Sequence, residues 1–422
     1  ETIEENPYVL IDLVRGVNFK QIDDMALKLG TDEGSLKRIT SGIKYALIQI
    51  SYNGHSCAIL QNLEEFVINL LGLGRDEVEN GIIHLKAKGE IVIENRDDCT
   101  EWVYLESFYN TEVAICNRLN KLDETANSKK VRGIKEEIKR VEKENEIELS
   151  EKQKEAVKAV NDNNVTIITG GPGTGKTTII KSIIEIYIKH NNKIVLSAPT
   201  GRAAKRMTET TGIEASTLHR LLEIGKINDD GLYKKSQDYQ GAPIDADIVI
   251  VDEMSMVDMF LMNYLLQSIY LGTKLILVGD SDQLPSVGPG SVLQDIIESE
   301  KITTIHLDKI FRQAAKSRII VNAHRINEGE GFVPKKEMTE GAKDDFFFIN
   351  EGSQEKMLEQ VISLCSGRLK KFGNYDFFEN IQVLTPTKKG PLGTKELNKS
   401  LQEVLNPAGD QKKERNTGNN LY

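Results

Sequence analysis

The sequence predicts an α/β protein in which a parallel sheet flanked by helices follows a mostly helical N-terminal region. Apolar runs at residues 165–168, 194–198, 248–251 and 275–278 alternate with helical patterns beyond residue 150. Such runs, which lack polar alternation, are typical of strands buried on both faces of a parallel sheet. A glycine-rich loop stands between the first of these strands and a helix, which predicts that phosphate binds at the edge of this sheet.

The composition excludes several classes of protein. The chain has 422 residues, a net charge of −10 and a pI of about 5.4, which argues against a passive nucleic-acid coat but not against a local DNA groove. No apolar run approaches the roughly 18 residues that a membrane span needs, and residues 1–5 do not resemble a signal peptide. The four cysteines are scattered without CxxC spacing, so we expect neither zinc nor disulfides, and a cytoplasmic location.

Residues 1–118 are predicted to form a helical N-terminal region. Within it, "LEEFVINLLGLGRDEVENGIIHLKAKGEIVIEN" (residues 63–95) has the order helix, turn, helix and glycine-marked strand turn. That order fits a winged-helix unit, and a small helical packing domain fits it equally well. Residues 119–149 are dense in charge and carry Ile134, Ile138 and Val141 at helical spacing, which predicts a solvated connecting helix.

The phosphate-binding motif is "GGPGTGKT", Gly170 to Thr177, in a predicted motor domain of residues 150–310. Glycines let backbone N–H groups turn inward around phosphate oxygens, and the N-terminus of the following helix favours anions. Lys176 would add a positive charge at the β and γ phosphates, and the Thr177 hydroxyl would bind Mg²⁺. The predicted nucleotide-binding residues of this loop are Gly171, Pro172, Gly173, Thr174, Gly175, Lys176, Thr177 and Thr178.

The run "ADIVIVDEMS" delivers Asp252 and Glu253 at the carboxyl end of a predicted strand, where ligands of parallel sheets bind. Asp252 could hold Mg²⁺ and Glu253 could take a proton from an attacking water; a plain helix N-cap is the alternative for such a pair. Ser150 and Gln153 form a capping-box pattern, which explains Gln153 without any ligand. Residues 227–243, with Asp230-Gly231, predict a hairpin inserted into the α/β domain.

Five further segments occur in a fixed order along the chain. They are "APTGRAAKRM" (198–207), "STLHRLL" (216–222), "VDEMSMVD" (251–258), "GDSDQLPSVGPG" (279–290) and "LDKIFRQ" (307–313). Together they resemble the superfamily 1 DNA helicases, specifically the RecD-like branch. Residues 380–407 are similar to the start of that family's second motor domain, and "ENPYVLIDLVRGVNFKQIDDMALKLG" (residues 5–30) resembles its N-terminal helix-hairpin-helix region.

The resemblance implies two RecA-like motor domains with ATP and Mg²⁺ between them, moving 5′ to 3′ on single-stranded DNA and unwinding duplex junctions. It implies that Gln153 contacts the base and that Arg312 reaches the γ-phosphate. The residues implied along the DNA path are Pro199, Thr200, Arg202, Thr217 and His219, although Arg202, Lys205 and Arg206 could instead be a solvated helix face and His219 a core histidine. It also implies roles in DNA repair and recombination, without a membrane, and it matches the inserted hairpin to a strand-splitting pin.

Two departures from the family pattern stand out. The Gly-apolar-Gly turn of the helix-hairpin-helix is Gly16-Val17-Asn18 here, and Asn tolerates positive φ. The family's last two motifs, a Ser-Gln-Gly segment and a Thr-Arg-Ala-like segment, do not occur in these residues. Residues 311–422 are therefore expected to be the start of a second motor domain that is incomplete in this chain. We expect the chain to bind ATP with weak turnover.

Three other functions compete with a DNA motor. A nucleotide-dependent switch would explain the phosphate loop but not "APTGRAAKRM" or "LDKIFRQ". A relaxase fused to a motor would need clustered histidines, and the six histidines are scattered. A fragment that binds DNA or holds ATP without unwinding remains the third possibility.

Gln283 is the residue of the "GDSDQLPSVGPG" loop that turn chemistry does not explain, because Gln has no turn role of its own. In the sheet that the resemblance implies, the strand before it lies beside the Asp252 strand, so its end would face the γ-phosphate. A neutral side chain with both a donor and an acceptor could then contact water or phosphate. We predict that Gln283 couples the γ-phosphate to the DNA path.

Overall fold

The computed structural model describes residues 6–13, 18–127, 129–224, 243–309, 316–333 and 345–407, with the strands Asn416–Thr417 and Asn420–Leu421. The chain divides into two compact units, Glu1–Lys343 and Asp344–Tyr422. Within the described ranges, no helix is long and apolar enough to cross a bilayer.

The first unit begins with helices and a small antiparallel sheet. The helices are α1 (Val9–Leu13), α2 (Phe19–Lys28), α3 (Leu36–Ser51), α4 (Leu60–Leu71) and α5 (Arg75–Ala87). Strands β1 (Cys57–Ile59), β2 (Ile91–Asn95) and β3 (Glu101–Leu105) pair in the order β1-β3-β2. The helix pair α4–α5 followed by the β2–β3 hairpin has the order expected of a winged-helix unit, and that assignment stays a prediction. The sheet shows that this region is not purely helical.

The start of α2 shows how the Asn18 position is used. Asn18 has a φ of −80°, and its side chain accepts a hydrogen bond from the Lys20 N–H at 3.0 Å. Asn18 therefore caps the helix and does not adopt the positive φ that the missing glycine would allow. At the other end of the helix, Gly30 has a φ of +94°, the left-handed conformation that glycine adopts readily after a helix.

A buried ion pair joins α2 and α3 to each other and to the end of α4. The Arg38 guanidinium donates to both carboxylate oxygens of Asp23 at 2.8 Å and to the carbonyl of Leu71 at 3.1 Å. The Tyr8 hydroxyl donates to Asp23 at 2.6 Å. Burial alone would raise the pKa of Asp23, but the hydrogen bonds from Arg38 and Tyr8 outweigh it and hold that pKa below its ordinary value.

The charged segment at residues 119–149 is not a single solvated helix. It contains the end of α6 (Glu106–Asp123), a turn and α7 (Ile134–Glu144). Ile138 and Val141 are 3% and 0% exposed and join a hydrophobic cluster on one face of the large sheet. The charged residues of α7 lie on its other side. Because they are dense in the sequence, the prediction of a solvated helix overlooked its buried apolar face.

The large sheet of the first unit is parallel throughout its described strands, in the order β6-β5-β7-β8-β4-β9. Its strands are β4 (Val165–Thr169), β5 (Ile194–Ala198), β6 (Ala215–Thr217), β7 (Ile248–Val251), β8 (Lys274–Gly279) and β9 (Thr303–His306). The helices around it are α8 (Glu151–Asp162), α9 (Lys176–Lys189), α10 (Gly201–Thr211), α11 (Leu218–Leu221), α12 (Met259–Ser268), α13 (Val292–Glu298) and α14 (Arg318–Asn327). The predicted fold class, a P-loop motor domain of parallel strands flanked by helices, is confirmed.

Both faces of this sheet are buried, as the unbroken apolar runs predict. Successive residues of each strand enter different clusters: Ile167 and Leu277 pack on one side, while Ile168 and Val278 pack on the other. A parallel sheet covered on both faces brings the carboxyl ends of its strands to one common edge, where ligands bind.

Lys274 is a fully buried cation inside this apolar architecture. Its ammonium donates to the carbonyls of Val160 at 2.8 Å, Asn161 at 3.3 Å and Asn163 at 2.6 Å, at the C-terminal end of α8. Burial lowers its pKa to about 8. Carbonyls at a helix C-terminus lack partners within the helix and favour a cation, which explains why a lysine is tolerated there.

The second unit contains α15 (Gln354–Ser363), a π-helical turn (Leu364–Arg368), α16 (Leu369–Gly373), α17 (Phe377–Asn380) and α18 (Thr394–Leu405). Strands β10 (Asn416–Thr417) and β11 (Asn420–Leu421) pair with each other. The apolar runs around Phe348 and Leu384 are largely exposed, at 66% and 82% for these two side chains. The assignment of residues 311–422 to a second motor domain stays a prediction.

Candidate nucleotide and DNA site

The phosphate loop lies between β4 and α9, at the carboxyl edge of the sheet. Gly173 and Gly175 have φ values of 80° and 84°, in the left-handed region that glycine adopts without strain. The Thr174 hydroxyl donates to the Gly171 carbonyl at 2.8 Å and fixes the turn from within. A side chain at Gly170 would meet the Leu307 carbonyl at 2.7 Å, so close packing also requires glycine there.

Lys176 opens α9 directly after Gly175, which is the N-cap. Its ammonium donates to the carbonyls of Gly170 and Gly171, the latter at 3.2 Å. These bonds hold the positive charge inside the loop that would surround a phosphate. Thr177 and Thr178 follow on the first turn of α9, both half-buried.

Asp252 and Glu253 follow β7 at the same edge of the sheet. The Asp252 N–H donates to the Ser197 carbonyl at 3.0 Å, and the Asp252 carboxylate accepts from the Glu253 N–H at 2.9 Å. Glu253 has a φ of 55°, a left-handed conformation that is strained for a residue with a Cβ. Its carboxylate makes no capping hydrogen bond to the following 3₁₀ turn, so the helix N-cap alternative is not supported.

Both carboxyls are harder to ionise than usual. Burial raises the pKa of Asp252, and burial together with the neighbouring Asp252 charge raises the pKa of Glu253. Lys176 and Arg206 act in the opposite direction on both groups. Two acids held together at this cost are typical of a functional site.

Gln283 follows β8, which pairs with both the Asp252 strand and the phosphate-loop strand. The prediction that these strands are neighbours is confirmed. The Gln283 side chain is exposed, and its amide donates to the carboxylate of buried Asp280 at 3.3 Å. In this structure it therefore braces its own loop, one residue before Leu284, which is 87% exposed.

Gln153 serves two contacts at once. It completes the predicted capping box, since its side chain accepts from the Ser150 N–H at 2.9 Å while its own N–H donates to the Ser150 hydroxyl at 3.3 Å. Its amide nitrogen lies 3.5 Å from the Gly175 carbonyl. Gln153 is 1% exposed, so its contact with Gly175 supports the phosphate loop from the protein interior.

The side chains present fit a magnesium nucleotide. Backbone N–H groups of the loop and Lys176 suit phosphate oxygens, and the Thr177 hydroxyl and Asp252 carboxylate are hard oxygen donors that suit Mg²⁺. No group of three or more His, Cys, Asp or Glu side chains could hold a metal in the part of the chain that the structure describes. Mg²⁺ usually takes one or two carboxylates from the protein together with substrate phosphates and water.

The residues predicted for the DNA path lie at the neighbouring strand ends. Ala198 and Thr217 are register partners of β5 and β6, so Pro199, Thr200 and Thr217 are close in space. Thr200 and Thr217 also cap α10 and α11, with 3.3 Å and 3.2 Å hydrogen bonds from Ala203 and Arg220.

The charged members of this group are open to solvent. Arg202 and His219 are exposed, which excludes a core role for His219. Lys205 pairs with Glu209 at 3.8 Å on α10. The solvated-face alternative for the basic residues of α10 therefore stays open for Arg202 and Lys205.

Two sequence predictions lie outside the described residues. Arg312 falls in the gap between residues 309 and 316, and the inserted hairpin at 227–243 falls in the gap between residues 224 and 243. Both remain predictions.

Sequence reasoning missed two contributors to the site. Arg206, grouped with DNA-binding cations, acts electrostatically on Asp252 and Glu253. Asp258 caps α12, and a Cβ at Gly288 would overlap its carboxylate, so the ends of the two motifs interlock. Arg206 lies in the segment "APTGRAAKRM" and Asp258 lies in "VDEMSMVD". Their place inside these segments was the signal that the sequence offered.

The fold and this edge define a P-loop domain of the RecA-like type, with a site suited to nucleotide phosphates. A family model described as an AAA domain matches residues 148–342, and one described as the ATP-dependent RecD2 DNA helicase HHH domain matches residues 1–57. The chain is therefore similar to the RecD-like helicases in its N-terminal segment and in its P-loop domain.

Two curated relatives illustrate the match. The chain is 36% identical over 262 residues to the ATP-dependent RecD2 DNA helicase of Deinococcus radiodurans, covering 61% of this chain and 33% of that protein. It is 31% identical over 316 residues to the RecBCD enzyme subunit RecD of Buchnera aphidicola, covering 60% and 51%. The chain thus matches about a third to a half of the length of these relatives.

Among solved structures, unliganded Pif1 from Bacteroides sp is 26% identical with a TM-score of 0.27, covering 40% of this chain and 43% of that one. Pif1 helicase from Candida albicans is 23% identical with a TM-score of 0.34, covering 54% and 55%.

Proposed function

We propose that the protein containing this chain is an ATP-dependent DNA helicase that moves 5′ to 3′ on single-stranded DNA. The observation that carries the proposal is a shared edge of the sheet: the ends of β4, β8 and β7 carry the phosphate loop, Gln283 and the Asp252-Glu253 pair. The next strands, β5 and β6, end in the residues predicted to line the DNA path. Strands β7 and β5 are neighbours, so the proposed nucleotide site and the proposed DNA path would lie one strand spacing apart, about 5 Å.

The chain's own residues divide the work. Lys176 and the loop N–H groups bind phosphate, Thr177 and Asp252 hold Mg²⁺, and Glu253 orients and deprotonates the attacking water. When bound, Mg²⁺ neutralises charge that develops on the phosphates. Arg312 would reach the γ-phosphate, and single-stranded DNA and duplex junctions are the partners.

Strand separation on tailed duplexes tests this proposal. The full-length protein is mixed with MgATP and a duplex that carries either a 5′ or a 3′ single-stranded tail, and Lys176→Ala serves as the control. We expect unwinding of the 5′-tailed duplex alone, and none by the variant. Unwinding of only the 3′-tailed duplex would refute the polarity, and unwinding of neither would refute the helicase assignment.

We also propose that the 422-residue chain alone binds nucleotide but turns it over slowly. The Ser-Gln-Gly and Thr-Arg-Ala-like segments do not occur in these residues. Arginine clamps supplied across an interface are worth about 10³ to 10⁵ in rate in related phosphoryl transfer. Processive unwinding by these residues alone would contradict this part of the proposal.

A further inference from the structure

The helix α14 reaches the phosphate loop from the outside. It follows the segment that contains Arg312, and its ends are defined by hydrogen bonds: Ser317 caps its start with a 3.4 Å bond from the Ile320 N–H. Buried Asn322 accepts the Val333 N–H at 2.9 Å and ties the chain beyond the helix back onto it. Side chains on α14 are therefore positioned by a folded element.

His324 is the residue of α14 that touches the loop. Its ring nitrogen Nε2 lies 3.3 Å from the Pro172 carbonyl oxygen. The ring also lies against Gly171, where an added Cβ would come within 2.6 Å of the imidazole Cε1. With a proton on Nε2, the imidazole donates to that carbonyl in both its neutral and charged forms.

The Pro172 carbonyl belongs to the same peptide unit as the Gly173 N–H. Because a trans peptide is planar, its C=O and N–H point in opposite directions. A donor that holds the carbonyl toward α14 therefore directs the N–H away from α14. Gly173, with its φ of 80°, lies in the part of the loop where converging N–H groups form an anion-binding nest.

We propose that His324 is a positioning residue that orients the Pro172–Gly173 peptide for phosphate. It acts through the loop backbone and contacts no phosphate itself. The inference deepens the proposed function, on which it rests, because it assigns the orientation of a phosphate-binding peptide to a side chain of α14. Pre-organised donors bind anions more tightly because no reorganisation is needed at binding.

Calorimetric titration of the full-length protein with MgADP and with magnesium pyrophosphate tests the proposal. His324→Ala removes the donor, and His324→Gln keeps one. Ile326→Ala is the matched control, because Ile326 is on the same helix and 53% exposed. One hydrogen bond of ordinary strength predicts that His324→Ala weakens both probes by about three- to tenfold.

The pattern across the variants separates this role from a general structural one. We expect His324→Gln to recover most of the affinity, Ile326→Ala to match the wild type, and all melting temperatures to agree. An equal loss for both probes would place the effect at the phosphate, since pyrophosphate has no base.

Wild-type affinity in His324→Ala, or a loss seen with MgADP alone, would overturn the inference and leave the proposed function standing. Failure of the wild type to bind either probe would instead refute the nucleotide site itself, and this inference with it.

Discussion

At the scale of single residues, Glu253 is held where its ionised form is disfavoured. Burial and the adjacent Asp252 raise its pKa, so the folded state binds the proton more tightly than the unfolded state does. Stability from this group is present below the unfolded pKa and is lost as the pH rises through the folded pKa. At neutral pH, the ionised carboxylate therefore lowers the free energy of unfolding.

Glu253→Gln removes that cost. We expect the variant to keep MgATP binding, to lose hydrolysis, and to melt at a higher temperature than the wild type at pH 7.5 without nucleotide. The gain in melting temperature should shrink as the pH is lowered, because the wild-type carboxyl then becomes protonated as well. Glu214→Gln, an exposed acid on the same domain, is the control. Wild-type hydrolysis in Glu253→Gln would remove Glu253 from the proposed chemistry.

The pH dependence of turnover follows from the same shift. A base must be ionised to accept a proton, and the pKa of Glu253 is raised. The acid limb of the pH–rate profile should therefore lie above the ordinary glutamate pKa of about 4.3. An acid limb at or below that ordinary value would contradict the assignment of Glu253 as the base.

Gln283 is the residue proposed to couple nucleotide and DNA. In this structure its amide is engaged by Asp280, so contact with a γ-phosphate would require that 3.3 Å bond to be exchanged. Gln283→Ala should keep ATP affinity within a few-fold and lose most DNA-stimulated hydrolysis. Gln294→Ala, on α13, is the matched control. A wild-type stimulation ratio in Gln283→Ala would leave this glutamine with only its bracing role.

At the scale of elements, a backbone hydrogen bond holds the loop after β8 against the start of α12, which follows the loop after β7. Met259 at the start of α12 donates its N–H to the Pro289 carbonyl at 3.1 Å, and the Gly290 N–H donates to the Gly54 carbonyl at 3.0 Å. The loop that starts near the phosphate site thus ends against the turn between α3 and β1. Movement of one end would be transmitted along a constrained chain.

Gly288→Ala tests this lock. The new Cβ would overlap the Asp258 carboxylate, so we expect a loss of about 1–3 kcal/mol in stability from overpacking. We also expect weaker DNA stimulation with MgATP affinity retained. Gly352→Ala is the control, because no atom lies within 4 Å of its added Cβ and its φ is ordinary. Denaturant unfolding measures the change in stability, and ATPase assays measure the change in DNA stimulation. Wild-type values in both would show that the loop accommodates the added methyl group.

At the scale of the whole molecule, sequence patterns predicted the features that depend on residues close together along the chain. The predicted strands at residues 194–198 and 248–251 coincide with β5 and β7, because buried parallel strands leave unbroken apolar runs. The capping box of Ser150 and Gln153 is likewise local.

Tertiary contacts escaped the same reasoning. Lys274 appears in the sequence as an ordinary strand-end lysine, yet its ammonium is hydrogen-bonded to three carbonyls at the end of a helix more than 100 residues earlier. His324 meets the phosphate loop across 152 positions of sequence. No periodicity encodes such meetings, since they arise only when distant segments share one edge of a sheet.

We propose that nucleotide bound at the phosphate loop is hydrolysed in response to DNA. ATP hydrolysis by the full-length protein, measured with and without single-stranded DNA beside Lys176→Ala, tests it most directly. The proposed coupling predicts strong stimulation by single-stranded DNA and no turnover by the variant, because the loop loses its fixed positive charge. Turnover that ignores DNA would identify a nucleotide-dependent switch, and wild-type turnover in Lys176→Ala would contradict the site itself.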